Sequence, residues 1–120
     1  MDKKQLGIYG ELIAARYLRR HGYTILEPNF HSRFGEIDLI ARSPEGILCF
    51  VEVKTRENDS FAAAREFVTV AKQRRLRAAA QMYLVMRGDS EALCRFDVAE
   101  VYLKPGLLKK PEINYIEQAF

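Results

Sequence analysis

Two stretches of the chain repeat apolar residues every three or four positions, which is the spacing of a helix with one buried face. The first stretch predicts a helix from about Leu6 to His21, stopped by Gly22. The second predicts a helix that has Thr69 as its N-cap and runs to about Arg87. Its apolar face consists of Leu76, Ala79, Ala80, Tyr83 and Leu84.

Elsewhere the apolar positions alternate or form short runs, as they do in strands. The predicted strands cover Tyr23–Leu26 (ended by Pro28), Gly35–Ala41, Ile47–Lys54, Arg95–Tyr102 and Glu112–Glu117, with a turn at Arg42–Gly46 and loops at Thr55–Ser60 and Gly106–Pro111. This order predicts a single α/β domain over residues 1–120, in which a central mixed β-sheet is flanked by α-helices.

The segment Ile47–Lys54 has apolar residues on both faces, which indicates a buried strand, yet it ends in the charged residues Glu52 and Lys54. Folding the hairpin symmetrically about Glu45 places Asp38 opposite Glu52 and on the same face as Lys54. Two opposed carboxylates repel each other and need a compensating cation, for which Mg²⁺ is suited. The alternative is a salt bridge between Glu52 and Lys54 on an exposed face, and a slip of one residue in register would also separate the acids.

Glu11 and the first turn of the second helix are further candidates for this site. Glu11 has only small or apolar neighbours three and four positions away on the first helix, so its carboxylate is predicted to face the protein. Lys72 and Gln73 lie at the start of the second helix, where free N–H groups and the helix dipole favour phosphate. In both cases the alternative is an ordinary solvated helix surface.

The distribution of charge extends this picture toward nucleic acid. The net charge is +3, and residues 65–77 carry five basic side chains against one acid, Glu66. Such a cluster is compatible with a polyanionic partner, although a solvated helix face has the same pattern. The predicted phosphate contacts are Arg33, Arg56, Lys72, Gln73, Arg74, Arg75 and Arg77.

The remaining composition excludes other classes of function. No apolar run reaches the roughly 20 residues that span a bilayer, and the polar N-terminus does not resemble a secretory signal, so we expect a cytoplasmic protein without membrane contact. Cys49 and Cys94 have no metal-ligand spacing, and Cys49 is predicted to be a buried thiol. His21 and His31 have no partner in the pattern and are predicted to lie on the surface.

The same residues give the chain a family resemblance. It resembles the YraN family of small bacterial proteins nearly from end to end. The similar motifs are Gly7-x-x-Gly10-Glu11-x-x-Ala14, Asn29-Phe30, Gly35-Glu36-Ile37-Asp38-Leu39-Ile40, Phe50-Val51-Glu52-Val53-Lys54-Thr55-Arg56, Lys72-Gln73 and Arg95-Phe96-Asp97-Val98.

That family looks like a branch of the PD-(D/E)xK nuclease superfamily, which includes archaeal-type Holliday junction resolvases. The resemblance implies a restriction-endonuclease-like fold, with Asp38, Glu52 and Lys54 as catalytic residues and Glu11 as a supplementary acid. It also implies that Asp38, Glu52 and the backbone carbonyl of Val53 bind Mg²⁺ (or Mn²⁺). The superfamily name leads one to expect proline in the place of Ile37.

The expected function is hydrolysis of DNA phosphodiester bonds by a Mg²⁺-dependent endonuclease, on branched or damaged DNA. A non-catalytic DNA-binding accessory module and a protein-interaction subunit of a DNA-processing complex are the alternatives. A homodimer would let two sites act on two strands, and this expectation rests on analogy alone.

Overall fold

The computed structural model of the chain describes residues 2–57, 68–103 and 110–120. In chain order its elements are α1 (Lys3–Arg20), β1 (Thr24–Ser32), β2 (Gly35–Arg42), β3 (Leu48–Arg56), α2 (Val70–Arg87), β4 (Cys94–Tyr102) and β5 (Glu112–Ile116). Both predicted helices and all five predicted strands are therefore present, with boundaries that differ by a few residues.

The five strands form one mixed sheet in the order β1-β2-β3-β4-β5. Only β3 and β4 are parallel among these neighbours, and α2 lies between them in sequence as the crossover. The predicted α/β architecture is confirmed, and it is compatible with a restriction-endonuclease-like fold. As the central strand, β3 is buried over its first five residues, as its two-sided apolar pattern predicts.

The two helices cover opposite faces of the sheet. Leu48 and Phe50 pack into one core cluster with the apolar face of α2. Cys49 and Val51, which alternate with them along β3, pack into the other cluster with α1. Cys49 is fully buried, as predicted. The polar residues at the ends of the sheet lie outside both clusters.

The first strand is longer than the sequence predicts, because Pro28 does not end it. Pro28 pairs with Leu39 of β2, and the register shifts between Ile25 and Glu27. Proline is tolerated here because β1 is an edge strand and its missing N–H need not serve the ladder. The strand continues through Asn29, whose φ of 51° is the left-handed conformation.

Two predicted loops are also revised. Thr55 and Arg56 belong to β3 rather than to the loop predicted from Thr55 to Ser60, of which residues 58–60 lie outside the described residues. Of the predicted loop from Gly106 to Pro111, residues 106–109 likewise lie outside them.

The start of α2 is fixed by the predicted cap. The side chain of Thr69 accepts a hydrogen bond from the backbone N–H of Lys72 at 3.1 Å, which places Lys72 in the first turn. The helix ends at Gly88, which adopts the left-handed conformation with φ of 68°. Neither helix among the described residues is long and apolar enough to cross a membrane.

Candidate active site

The candidate site forms where β2 and β3 stop pairing through their backbones. The ladder runs in the predicted register, with Ile40 opposite Phe50, and its last pair is Leu39 with Val51. Beyond that pair, β2 contacts β3 through a side chain and not through the backbone ladder: Asp38 Oδ2 accepts a hydrogen bond from the Val53 N–H at 2.8 Å. The predicted register holds over the paired residues and brings Asp38 to the end of β3.

Glu52 is almost completely buried at the same end of β3 and has two ammonium groups around one carboxylate oxygen. Glu52 Oε1 lies 2.5 Å from Lys72 Nζ and 3.5 Å from Lys54 Nζ, while the Glu52 side chain is 6% exposed. The alternative of an exposed surface salt bridge is wrong, since the Glu52–Lys54 ion pair exists but lies in a largely buried cluster. Lys72 is the partner that the strand pattern does not reveal.

Burial and charge shift the pKa values in this cluster. Burial, followed by the negative charge of Glu52, raises the pKa of Asp38 to about 7. Burial also lowers the pKa of Lys54, against the opposing effect of Glu52. For Lys72, the hydrogen bond and charge of Glu52 outweigh burial, and its pKa is raised. In this cluster Asp38 therefore holds its proton more tightly than an exposed aspartate does.

Glu11 approaches the cluster from α1. It is partly buried, it is hydrogen-bonded to Asn29, and its pKa is raised by burial and by the charge of Glu52. The neighbouring Gly10 packs against Thr55 so closely that a Cβ at this position would lie 2.9 Å from the Thr55 Cβ and overlap its hydroxyl. Glycine at position 10 is therefore what lets α1 bring Glu11 close to the end of β3.

A cavity of about 230 Å³ opens beside the two central acids. It includes positions that the sequence did not single out as site residues, at the start of β2 and on α2. The residues lining it are Gly35, Glu36, Asp38, Glu52, Lys72, Arg75 and Leu76. The Thr69 cap indicates which residues lie in the first turn of α2, but no sequence signal shows that this turn approaches Glu52.

The donor set of this cavity fits a hard cation that takes part of its ligands from substrate and water. Within the described ranges, no group of three or more His, Cys, Asp and Glu side chains is arranged to hold a metal ion. Asp38 and Glu52 nevertheless line one cavity, and burial, followed by the negative charge of Glu52, raises the pKa of Asp38. Mg²⁺ is commonly bound by one or two carboxylates together with phosphate oxygens and water.

The residues predicted to contact nucleic acid on α2 have different surroundings. Lys72 is held by Glu52 inside the cavity, and Arg75 lines the same cavity. The Gln73 side chain instead donates from Nε2 to the Val68 carbonyl oxygen at 3.0 Å and so satisfies backbone just ahead of the helix. Arg75 therefore lines the cavity without an acidic ion-pair partner among the residues that the structure describes.

Two other predicted contacts are stacked on aromatic rings. The guanidinium carbon of Arg77 lies 4.8 Å from the ring centroid of Phe96, and that of Arg33 lies 4.9 Å from the centroid of Phe34. Neither group lines the cavity beside Asp38. The remaining predicted contacts are the exposed Arg74 of α2 and the half-buried Arg56 at the end of β3.

Both histidines are exposed, as predicted, and each has a partner that the sequence pattern does not show. His31 Nδ1 lies 3.1 Å from Glu36 Oε1, because the two residues pair across β1 and β2. His21 Nδ1 lies 2.8 Å from the Tyr17 carbonyl oxygen four residues earlier on α1. The strand pairing that joins His31 to Glu36 depended on the extension of β1 past Pro28.

A second buried charge cluster lies on β4. Arg95 Nε donates to Asp97 Oδ1 at 2.9 Å, and the same Oδ1 accepts from the Gln118 N–H at 3.0 Å. Asp97 Oδ2 accepts from the Tyr115 hydroxyl at 2.5 Å, while Asp97 itself is fully buried. This cluster connects β4 with the C-terminal segment. The Arg95–Val98 motif therefore has a role in packing and not at the cavity beside Asp38.

Comparison with known proteins places these motifs in a wider group. The model of "Uncharacterised protein family UPF0102" matches residues 10–101. A UPF0102 protein of Caldanaerobacter subterraneus subsp. tengcongensis is 44% identical over 120 residues, which is 100% of this chain and 98% of that protein. UPF0102 proteins of Syntrophomonas wolfei (43%, covering 98% of each chain) and Bifidobacterium longum (40%, covering 100% of this chain and 96% of that one) are similar.

Proposed function

We propose that this chain, which belongs to the uncharacterised protein family UPF0102, is a metal-dependent nuclease that hydrolyses DNA phosphodiester bonds. The membership confirms the resemblance to the YraN family. One observation carries the proposal: Asp38 and Glu52 line one cavity at the end of a buried strand, and the ammonium groups of Lys54 and Lys72 both pair with Glu52. Carboxylates and amines are seldom buried together unless they serve one another or a ligand.

Asp38 and Glu52 are the proposed metal ligands, with the Val53 carbonyl as a third oxygen and Mg²⁺ or Mn²⁺ as the cation. When bound, the metal supplies positive charge that polarises the phosphate and compensates the two acids. The Asp38 side chain is already oriented for this role, because its bond to the Val53 N–H fixes one of its oxygens. The hydrogen bond leaves Asp38 Oδ1 for the cavity.

The two lysines act on the substrate in this proposal. Lys54 stabilises negative charge that develops on the phosphate, and its lowered pKa also suits it to exchange a proton with an attacking water. Lys72 is paired with Glu52, and a cation bound by Glu52 would compete with this pairing and leave the Lys72 ammonium group free to contact the same phosphate. Glu11 supplements the acids from α1.

Basic residues around the opening supply the affinity for the DNA backbone. Arg75 lines the cavity, and Arg74 is exposed on the same turn of α2. Contacts of this kind neutralise phosphates without reading sequence, so the binding that they support depends on salt and on the shape of the DNA. Branched or damaged DNA and action as a dimer are extensions of this proposal.

The Lys72–Glu52 contact also favours a second candidate function. An ammonium group 2.5 Å from Glu52 Oε1 already neutralises that carboxylate without a metal. A chain that keeps this arrangement when DNA binds would be a non-catalytic DNA-binding module. The two functions differ in one respect: only the nuclease requires Lys72 to leave Glu52.

Cleavage of labelled single-stranded, duplex, flapped and four-way DNA in Mg²⁺, Mn²⁺ or EDTA tests the proposal. We expect metal-dependent cutting of at least one substrate, and a loss of about 100-fold or more in Glu52→Gln and in Lys54→Met. Glu45→Gln, an exposed acid in the turn between β2 and β3, is the matched control and should retain full activity. Tight DNA binding without cutting, equal in all variants, favours the binding module instead.

A further inference from the structure

A second and larger cavity, of about 630 Å³, runs along the flank of α1. The segment that leads into β5 forms its other wall. It shares no lining residue with the cavity beside Asp38 in the part of the chain that the structure describes. The side chains that bear on its chemistry are Tyr9, Leu12, Arg16, Tyr17, Arg20 and Lys110.

All charged groups that line this groove among the described residues are basic. Arg16 and Arg20 are both exposed and lie four residues apart, about 6 Å along the helix axis. They are therefore spaced to contact neighbouring phosphates of one strand. Lys110 adds positive charge from the opposite wall, so the groove attracts a linear polyanion along its length.

Flat and apolar side chains alternate with these charges. Tyr9 is 42% exposed and Leu12 is 64% exposed, although both could have been polar on a solvated helix. The exposed His21 ring, which also lines the groove, stacks on Tyr17 with 4.1 Å between the ring centroids and gives the groove a second aromatic surface. Aromatic rings set among basic groups are the features with which proteins bind single strands, because every base has a face that can stack.

We propose that the α1 groove binds single-stranded nucleic acid, with bases on Tyr9 and His21 and phosphates on Arg16, Arg20 and Lys110. A duplex offers only the edges of its bases, whereas a single strand can insert unpaired bases into a cavity of this volume. An acidic peptide matches the charges but leaves the two aromatic surfaces without a counterpart. This site goes beyond the proposed nuclease, since it requires neither Asp38 nor Glu52.

Fluorescence anisotropy with a labelled oligothymidine of about 12 nucleotides in EDTA tests this site, because no cleavage is needed. Tyr9→Leu removes a stacking surface and is expected to weaken binding at least about fivefold. Arg16→Gln is expected to reduce the slope of log affinity against log salt by about 0.7, the value for one phosphate contact on a single strand. Both positions are largely exposed, and thermal unfolding confirms that the variants fold.

Arg19→Gln is the matched control, because Arg19 is exposed on the same helix but does not line the groove. Unchanged binding in Arg19→Gln, together with the losses above, supports the groove. Equal losses from Arg16→Gln and Arg19→Gln contradict it, since net charge alone would then explain binding. The absence of binding, or tighter binding of polyglutamate than of oligothymidine, also overturns the proposal.

Discussion

Lys72 Nζ lies 2.5 Å from Glu52 Oε1, so the first turn of α2 is joined directly to the last buried carboxylate of β3. The Thr69 cap sets the position of that turn, and the central place of β3 in the sheet sets the position of Glu52. A change of this contact therefore tests two properties of the site: its stability and whether a cation can take the place of the Lys72 ammonium group.

Removing the Lys72 ammonium group should destabilise the metal-free protein. Lys72→Met leaves Glu52 buried, with Lys54 Nζ at 3.5 Å from Glu52 Oε1 as its remaining cation. We expect a loss of about 2 kcal/mol in the free energy of unfolding, because a buried charge has lost its partner. Urea unfolding in EDTA measures this loss, and millimolar Mg²⁺ should recover part of it by replacing the ammonium group.

Arg74→Met is the control for this experiment, because Arg74 is exposed in the same turn. It should change stability by less than about 0.5 kcal/mol. If Mg²⁺ stabilises neither the wild type nor Lys72→Met, the cavity does not respond to a cation.

The raised pKa of Asp38 predicts a pH-dependent cost of folding. Burial and the charge of Glu52 raise this pKa to about 7, above its value in the unfolded chain. The folded state therefore binds the proton more tightly, so the contribution of Asp38 to stability is complete below about pH 4 and is lost as the pH rises to about 7. Asp38→Asn should remove this loss and still accept from the Val53 N–H.

The measurement is urea unfolding of the wild type and Asp38→Asn in EDTA at pH 5 and pH 8. The variant should gain relative stability between the two values, reaching on the order of 2 kcal/mol at pH 8. Mg²⁺ should reduce the difference at pH 8 because it stabilises only the protein that keeps the carboxylate. A difference that is independent of pH would show that Asp38 is ionised at little cost.

The close contact of Gly10 with Thr55 predicts that two glycines of α1 respond oppositely to alanine. Gly10→Ala places a Cβ where the Thr55 side chain lies, so the helix must move away from the end of β3. We expect a loss of about 1–3 kcal/mol in the free energy of unfolding. Gly7→Ala meets nothing within 4 Å and should stabilise the helix by about 0.5–1 kcal/mol.

Because Gly10 also sets the approach of Glu11, Gly10→Ala should reduce nuclease activity at temperatures where the protein is fully folded. Thermal unfolding monitored by circular dichroism, followed by cleavage at a low temperature, separates the two effects. Equal stability of the two alanine variants would contradict the close packing of α1 on β3.

The Arg95–Asp97 pair is predicted to act in folding and not in chemistry. Asp97→Asn removes the charge that the buried Arg95 requires and weakens the bonds from Tyr115 and Gln118. The expected loss in the free energy of unfolding is about 3–5 kcal/mol, typical of a broken buried pair. Cleavage per folded molecule should be unchanged, and a loss of activity that exceeds the unfolded fraction would place Asp97 in the active site.

Folding the hairpin about Glu45 predicted the pairing of Ile40 with Phe50 that the structure has, although the sequence left a slip of one residue open. This register predicted that Asp38, Glu52 and Lys54 lie close together. The path of β1 did not follow, because Pro28 normally ends a strand and only the edge position of β1 makes it acceptable.

The contact of Lys72 with Glu52 could not be predicted from pattern either. It depends on how α2 packs across the sheet, and the two residues are 20 positions apart with no shared periodicity. The groove on α1 was missed for a similar reason, because the buried side of this helix contains Gly10, Ala14, Ala15 and Leu18, of which only Leu18 is large and apolar. A search for large apolar residues does not find a buried face that consists mainly of small ones.

The proposed metal site is tested most directly by titrating Mn²⁺ into the metal-free, ¹⁵N-labelled protein and following paramagnetic broadening of its amide signals. The expected result is selective broadening at Asp38, Glu52, Val53 and their chain neighbours in the wild type, reversed by excess Mg²⁺ and absent in Asp38→Asn. Broadening that spares these residues, or that persists unchanged in Asp38→Asn, would contradict a divalent-cation site between β2 and β3 and with it the nuclease proposal.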